Sequence, residues 1–139
     1  MRDLRPTVGL SQLLDAAGVG PDSAIRVTGS GALSALLWLH RRGYADVGCL
    51  HAGQRAPGDE ADALLAAHTA TVERLSDLLH RGPQVRQGGI IIVQTRSGEG
   101  GAQAVLTFHR HGFELVRRLP GSHRDVLVAR RTLEFRQAA

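Results

Sequence analysis

A glycine-rich turn, Gly29-Ser30-Gly31, is the main candidate for a binding site in this sequence. The turn follows a short β-prone run, residues 24–28, and precedes an apolar segment with helical spacing, residues 32–42. In that context, backbone N–H groups at the helix N-terminus can face an anion or a ribose-linked cofactor. Glycine also lets a ligand approach the backbone closely. The same pattern is compatible with a tight turn that binds nothing, so both interpretations stay open.

A ribose-binding carboxylate is the second requirement of a nucleotide cofactor, and the sequence does not meet it. In such sites an acidic residue ends the second strand and receives the ribose hydroxyls. Here residues 49–53, CLHAG, occupy that place, and the next acidic residue is Asp59. His51 can form a hydrogen bond but carries no fixed negative charge. This absence argues against both a nicotinamide and an adenosyl cofactor.

Two further candidates lie where strands would end. If residues 61–67 form a parallel strand, His68 lies at its carboxyl end, where ligands and catalytic groups collect in open α/β sheets. A histidine there is a candidate general base. If the segment is helical, His68 belongs to an apolar helix face instead, and periodicity does not decide between the two. Thr95 ends a strongly apolar strand and is expected to face the same crevice.

The remaining reactive side chains give weaker signals. His109 and His111 are spaced i, i+2 near a helix end and point apart, so no metal site is expected. The serines lack the flanking pattern of a nucleophile elbow, which argues against hydrolase chemistry. Cys49 falls in an apolar strand and is expected to be a buried, inert thiol.

The segments around these residues alternate between helical and strand patterns. Helices are predicted over residues 8–17, 32–42, 71–80 and 102–111. Strands are predicted over residues 24–28, 45–51, 89–95, 113–119 and 125–131, with a turn over residues 81–88. Strand–helix–strand order favours right-handed crossovers and a parallel sheet. We therefore expect an α/β three-layer sandwich, mostly parallel, with a C-terminal antiparallel strand pair at the sheet edge.

Length and composition indicate one soluble domain, residues 1–139. Hydrophobic residues make up 42% and charged residues 22%, which is ordinary for a globular chain. No apolar run approaches the roughly 20 residues needed to span a bilayer, and the N-terminus lacks a signal-peptide pattern. The single cysteine excludes an internal disulfide. A cytoplasmic location without membrane association is therefore expected.

The positive charge is uneven along the chain. All 17 basic residues are arginines, with 6 against 7 acidic residues in residues 1–70 and 11 against 6 in residues 71–139. A cationic half can attract nucleic acid. No run of like charge exceeds two residues, however, and aromatic residues are only 4%, so stacking platforms are scarce. Nucleic acid is therefore not an expected partner.

Over roughly residues 7–132, the order of segments resembles class I S-adenosylmethionine-dependent methyltransferases. SQLLDAAGVGPDSAIRVTGSGALSALLWLHRRG looks like that family's first helix, strand, glycine motif and crossover helix. ADALLAAHTATVERLSDLLHRGPQVRQGGIIIVQT is similar to its fourth strand, following helix and fifth strand. FHRHGFELVRRLPGSHRDVLVARR resembles its closing helix and antiparallel strand pair. The resemblance implies S-adenosylmethionine as cofactor and favours a strand over residues 62–68.

The chain departs from this family at the cofactor site. Val27 stands where the family has an acidic residue two positions before the first glycine, and Leu33 occupies the third glycine position. Residues 51–60 are too few for the helix and third strand that the family places there, which contribute the adenine pocket. The resemblance is thus to a methyltransferase fold with one helix–strand unit deleted. Such a deletion exposes a sheet edge or an apolar face that must be covered.

Three functions are compatible with these features, in order of preference. The first is a degenerate, non-catalytic methyltransferase-like domain that acts by binding or assembly, with a homodimer or a protein partner covering the exposed edge. The second is a small active S-adenosylmethionine-dependent methyltransferase, with Gly29, Ser30, Gly31, His51 and Thr95 near the cofactor and His68 as the base. The third is a nicotinamide-nucleotide-binding Rossmann domain, against which the C-terminal strand pair argues.

Overall fold

Four helices and six strands make up the described part of the chain in a computed structural model. The described residues are 5–29, 31–49, 60–69, 72–81, 85–96, 102–119 and 124–132. The helices are α1 (Arg5–Ala16), α2 (Ala32–Arg41), α3 (Val72–Arg81) and α4 (Ala102–Arg110). The strands are β1 (Ala24–Thr28), β2 (Asp46–Cys49), β3 (Ala61–Thr69), β4 (Val85–Arg96), β5 (Phe113–Leu119) and β6 (Arg124–Arg131). The elements follow the predicted order.

The strands form one sheet in the order β2-β1-β3-β4-β6-β5. The pairs β1–β2, β1–β3 and β3–β4 are parallel, and β6 runs antiparallel to both β4 and β5. The α/β fold class with its C-terminal antiparallel pair is therefore confirmed. Among the described strands, β2 and β5 are the two edges. The carboxyl ends of β1, β3 and β4 meet at one end of the sheet, because these strands are parallel.

Two apolar cores cover the two faces of the sheet. Leucines of α1 and α2 pack on one face against alternate residues of the strands, including Ile90 and Ile92. On the other face, Leu75 of α3 and Phe108 of α4 pack against residues such as Ile91 and Val93. The chain therefore forms three layers. The β-branched run in β4 is buried on both faces, as expected for a central strand.

The structure decides two features of β3 and β4 that the sequence left open. Ala61–Thr69 is a strand, because β1 and β4 flank it and both of its faces are buried. The predicted turn over residues 81–88 is wrong at its end, since β4 already begins at Val85, which pairs with Ala61. An irregularity follows before Ile90 pairs with Ala63. Gly89 is required there, because a Cβ would lie 2.5 Å from the Val85 side chain and 2.9 Å from the Asp62 carbonyl oxygen.

The helices of the described ranges are too short or too polar to cross a bilayer.

Candidate functional site

The glycine turn joins β1 to α2 at the carboxyl end of the parallel strands. Gly29 has φ +105°, a backbone conformation that favours glycine, and Gly31 is the N-cap of α2 with an ordinary φ of −95°. The N–H of Ala32 donates to the Gly29 carbonyl at 3.1 Å. No side chain of the described residues caps α2, and the first turn of this helix contains no acidic residue. Backbone N–H groups and the positive end of the helix dipole can therefore attract an anion here. Ser30 lies outside the described residues.

The described residues do not fit the ribose side of the implied cofactor. Val27 is fully buried in the apolar core between the sheet and the first two helices, so it offers no polar group. The described end of β2 is Cys49, and β2 carries its only carboxylate, Asp46, at the opposite end. Ribose hydroxyls need a polar acceptor at that point. His51 lies outside the described residues. The turn can hold an anion, but this part of the site supplies no carboxylate.

Cys49 is exposed, which corrects the expectation of a buried thiol. The reason is the position of β2, which pairs with β1 and is a sheet edge among the described strands. Its last residue therefore has a neighbouring strand on one side only. The edge position of β2 depends on the order of the strands in the sheet, so the four-residue sequence of β2 does not predict it.

The structure places His68 in β3, near the same end of the sheet as Gly29. Thr28 is the last residue of β1 before the glycine turn, and it pairs with Ala66 of β3. His68 therefore lies two residues further along β3 than the point where the turn begins. Thr69, which follows it, pairs with Gln94, next to Thr95. The sheet therefore brings the predicted base and the predicted turn to one edge. The side chain of His68 lies outside the described residues, and its catalytic role stays a prediction.

Thr95 is almost fully buried, with 3% of its surface exposed, and its hydroxyl has no hydrogen-bond partner among the described residues. It pairs with Asp125 of β6, so both side chains lie on the face covered by α3 and α4. Asp125 is 1% exposed and accepts a hydrogen bond from the Arg118 guanidinium at 3.1 Å. The sequence indicated Thr95 but not this pair, because Asp125 and Arg118 come from strands that follow much later.

Metal-binding geometry is absent from the described side chains: no group of three His, Cys, Asp or Glu residues comes together in them. Nδ1 of His111 lies 2.9 Å from the carbonyl oxygen of Thr107, which is a contact within the end of α4. The His111 ring therefore contacts the backbone at the end of α4.

Two leucines on α2 form an unexpected exposed surface. Leu33 is 65% exposed and Leu37 48%, whereas Leu39 of the same helix is fully buried. With the half-buried Leu36 between them, they form an i, i+3, i+4 stripe that is separate from the core-facing side. The sequence contains a sign of this exposed stripe, since α2 has more large apolar residues than one buried helix face can accommodate.

Comparisons with known proteins find the fold but no close relative. No family model and no curated protein matches the chain. Among solved structures, it is similar to the ribosomal protein L11 methylase of Lactobacillus delbrueckii subsp. bulgaricus, with a TM-score of 0.67 and 15% identity over 92% of this chain and 80% of that one.

Two further solved structures point to the same fold. Magnesium protoporphyrin IX methyltransferase of Synechocystis PCC 6803, solved with bound SAH, has a TM-score of 0.60 at 11% identity over 92% of this chain and 83% of that one. An S-adenosylmethionine-dependent methyltransferase of Mesorhizobium loti has 0.59 at 12% identity, over 86% and 96%. The chain therefore has the fold of class I methyltransferases, in agreement with the resemblance seen in its sequence.

Proposed function

We propose that this chain, with its class I methyltransferase fold, is a non-catalytic domain that acts by association with another protein surface. The observation that carries the proposal is the region around β2 and α2. There, two leucines of α2 face solvent beside an edge strand whose described end holds a cysteine and no carboxylate. A contiguous exposed apolar patch is a feature of protein interaction sites.

The buried apolar Val27 supports the absence of methyl transfer. A nucleotide cofactor is held by hydrogen bonds to its ribose, and a cofactor whose hydroxyls find no acceptor loses affinity by the cost of leaving those groups unpaired. The glycine turn alone offers backbone N–H groups for an anion. We expect this turn to bind small anions weakly. We expect no binding of S-adenosylmethionine up to millimolar concentration.

A small active S-adenosylmethionine-dependent methyltransferase is the second candidate. Two observations favour it: Gly29 keeps the backbone conformation of a ligand-facing turn, and the unpartnered Thr95 hydroxyl lies toward the same end of the sheet. In this case His68 is the candidate base. Solved structures of similar fold include one with bound SAH, which makes the cofactor a reasonable ligand to test.

Isothermal titration calorimetry with S-adenosylmethionine and S-adenosylhomocysteine separates the two candidates. The proposal predicts no saturable heat at millimolar ligand. Binding at micromolar strength that Gly31→Asp abolishes would contradict the proposal and favour the second candidate. Aspartate is a favourable N-cap residue, so this variant should remain folded. Gly20→Asp is the matched control, because Gly20 lies in the turn before β1, at the opposite end of that strand, with open space around it.

A further inference from the structure

We propose that a bulge near the start of β4 fixes the register of this strand, and that it thereby places Thr95 and not Gln94 beside the buried carboxylate of Asp125. The bulge consists of residues 86–89 of β4, which lie against a single residue of β3, Asp62. Bulges of this kind redirect the side chains of the strand in which they occur. The inference goes beyond the proposed function and does not depend on it, because it concerns the strand beneath the candidate site.

The apolar run of β4, residues 90–93, does not fix this register by itself. All four residues are β-branched and buried, and they alternate between the two cores of the sheet. A shift of one residue along the strand sends every side chain to the opposite face. Each core would still receive two of the four residues after such a shift. The burial of this run is therefore compatible with either register.

The pairing of β4 with β6 favours the shifted register. In the structure, Ile90 lies opposite Arg130 and Gln94 lies opposite Val126, so two apolar residues have polar neighbours. If β4 moved by one residue toward its carboxyl end, the whole apolar run would lie opposite the apolar residues 126–129 of β6. Apolar cross-strand pairs stabilise a sheet. The observed register therefore needs contacts outside this run to hold it.

Contacts from both neighbouring strands hold the bulge in place. From β3, the Asp62 carboxylate accepts a hydrogen bond from the Arg86 guanidinium. From β6, the Arg130 guanidinium donates to the Gly88 carbonyl oxygen at 2.8 Å. Hydrogen bonds that involve a charged group are among the stronger ones in proteins. A shift of β4 toward its carboxyl end would straighten the bulge and break these contacts.

Two consecutive glycines allow the backbone of the bulge to pack tightly. Gly88 has φ +82°, a conformation that favours glycine. A Cβ at Gly89 would lie 2.5 Å from the Val85 side chain and 2.9 Å from the Asp62 carbonyl oxygen. The second of these atoms belongs to the backbone of β3 and cannot move aside without moving that strand. Any side chain at Gly89 should therefore force the bulge to open.

The register decides which polar side chain reaches the candidate site. In the structure, Thr95 lies opposite Asp125, and its buried hydroxyl has no hydrogen-bond partner among the described residues. In the shifted register, Gln94 would lie opposite Asp125, where its amide can donate to the carboxylate, and Thr95 would turn to the other face. A buried hydroxyl without a partner lowers stability. The bulge therefore holds Thr95 at this position against a preference for Gln94.

NMR spectroscopy of the full chain tests the role of the bulge, because cross-strand NOEs report which residues of β4 and β6 lie opposite each other. Gly89→Ala should replace the contacts between Gln94 and Val126 by contacts between Gln94 and Asp125. Gly48→Ala is the matched control, since Gly48 is also a strand glycine and an added Cβ would have its nearest contact among the described residues at 3.7 Å. This control should keep the native pairing. A folded Gly89→Ala variant that keeps the contacts between Gln94 and Val126 would overturn the proposal.

Thiol reactivity gives a second readout, which does not require Gly89→Ala to fold. In a Cys49→Ser background, Asp62→Asn combined with Arg130→Met should weaken the bulge and populate the shifted register. A Thr95→Cys thiol should then react with a disulfide reagent at least about 10-fold faster than with the bulge intact, because it leaves its buried position. An Ile91→Cys thiol is the control, since it stays buried in both registers. Equal acceleration at both positions, or none at position 95, would overturn the proposal.

Discussion

The two edges of the sheet are built in opposite ways. At the β5 edge, the exposed residues include Glu114, Arg117 and Arg118, and the pairing with β6 shifts register between Leu115 and Arg117. Charges and bulges at an edge prevent another strand from pairing with it. The β2 edge has neither a bulge nor a charge free of its neighbour. Among the described strands, therefore, the β5 edge carries features that prevent strand addition and the β2 edge does not.

The ion pairs next to the two edges differ in the exposure of their carboxylates. Arg118 and Asp125 lie 3.1 Å apart, with the carboxylate only 1% exposed. Arg26 and Asp46 lie 3.2 Å apart, but this carboxylate is 55% exposed. The Asp125 carboxylate depends on this pair, because without Arg118 it would be a buried charge with one partner fewer. An exposed pair contributes little to stability. The ion pair next to β5 should therefore contribute more to stability than the ion pair next to β2.

The largest expected effect separates the two sides of α2. Leu39→Ala should lower the free energy of unfolding by about 2–5 kcal/mol, because it leaves a cavity in the core. Leu37→Ala should change it by less than about 0.5 kcal/mol, because this side chain is half exposed. Urea unfolding at low protein concentration measures both. Equal losses would show that the stripe serves folding and not association.

An intermediate effect is expected at the ion pairs. Asp125→Asn should cost about 2 kcal/mol of stability, because the hydrogen bond from Arg118 to the buried carboxylate loses its charge; the 43% exposure of the Arg118 side chain reduces the loss. Asp46→Asn should cost less than about 0.5 kcal/mol. The measurement is the urea midpoint at low and high salt. A loss at Asp46 as large as that at Asp125 would remove the contrast between the edges.

The smallest effect is expected at Asp62 of the interior strand β3. Its ion pair with Arg86 is a reference for the ion pairs next to the two edges. Burial raises its pKa, but hydrogen bonds from Arg86 and from the Ala24 N–H at 2.7 Å, together with the Arg86 charge, outweigh burial and hold the pKa below the ordinary 3.8. Because the folded pKa is the lower one, the stabilisation is present above the unfolded pKa and is lost as pH falls through the folded pKa.

Asp62→Asn should therefore reduce stability at neutral pH by about 1 kcal/mol or less, and the difference from the wild-type chain should shrink below about pH 4. Thermal unfolding between pH 2 and pH 7 measures this. Asp77→Asn is the control for the loss of a surface carboxylate, because Asp77 is exposed on α3. A pH-independent difference for Asp62→Asn would mean that its ionised form is not preferentially stabilised.

Much of the fold follows from local patterns. The bounds of β1 and β5 agree with the predicted ones, and those of α2, α4 and β6 agree to within a residue, because glycines and turn residues interrupt the periodicity at these points. The early start of β4 at Val85 was not predictable, since this residue becomes a strand only by pairing with Ala61. The candidate site was predictable in its glycine turn. Its buried pair of Thr95 and Asp125 was not, because the two residues meet only through the order of the strands.

The sequence by itself determined the order of helices and strands, the glycine turn and the class of fold, because these depend on residues near one another in the chain. Only the tertiary structure decided which leucines of α2 are buried, that Cys49 is exposed, and that β2 is an edge strand among the described strands. Those properties depend on which elements become neighbours.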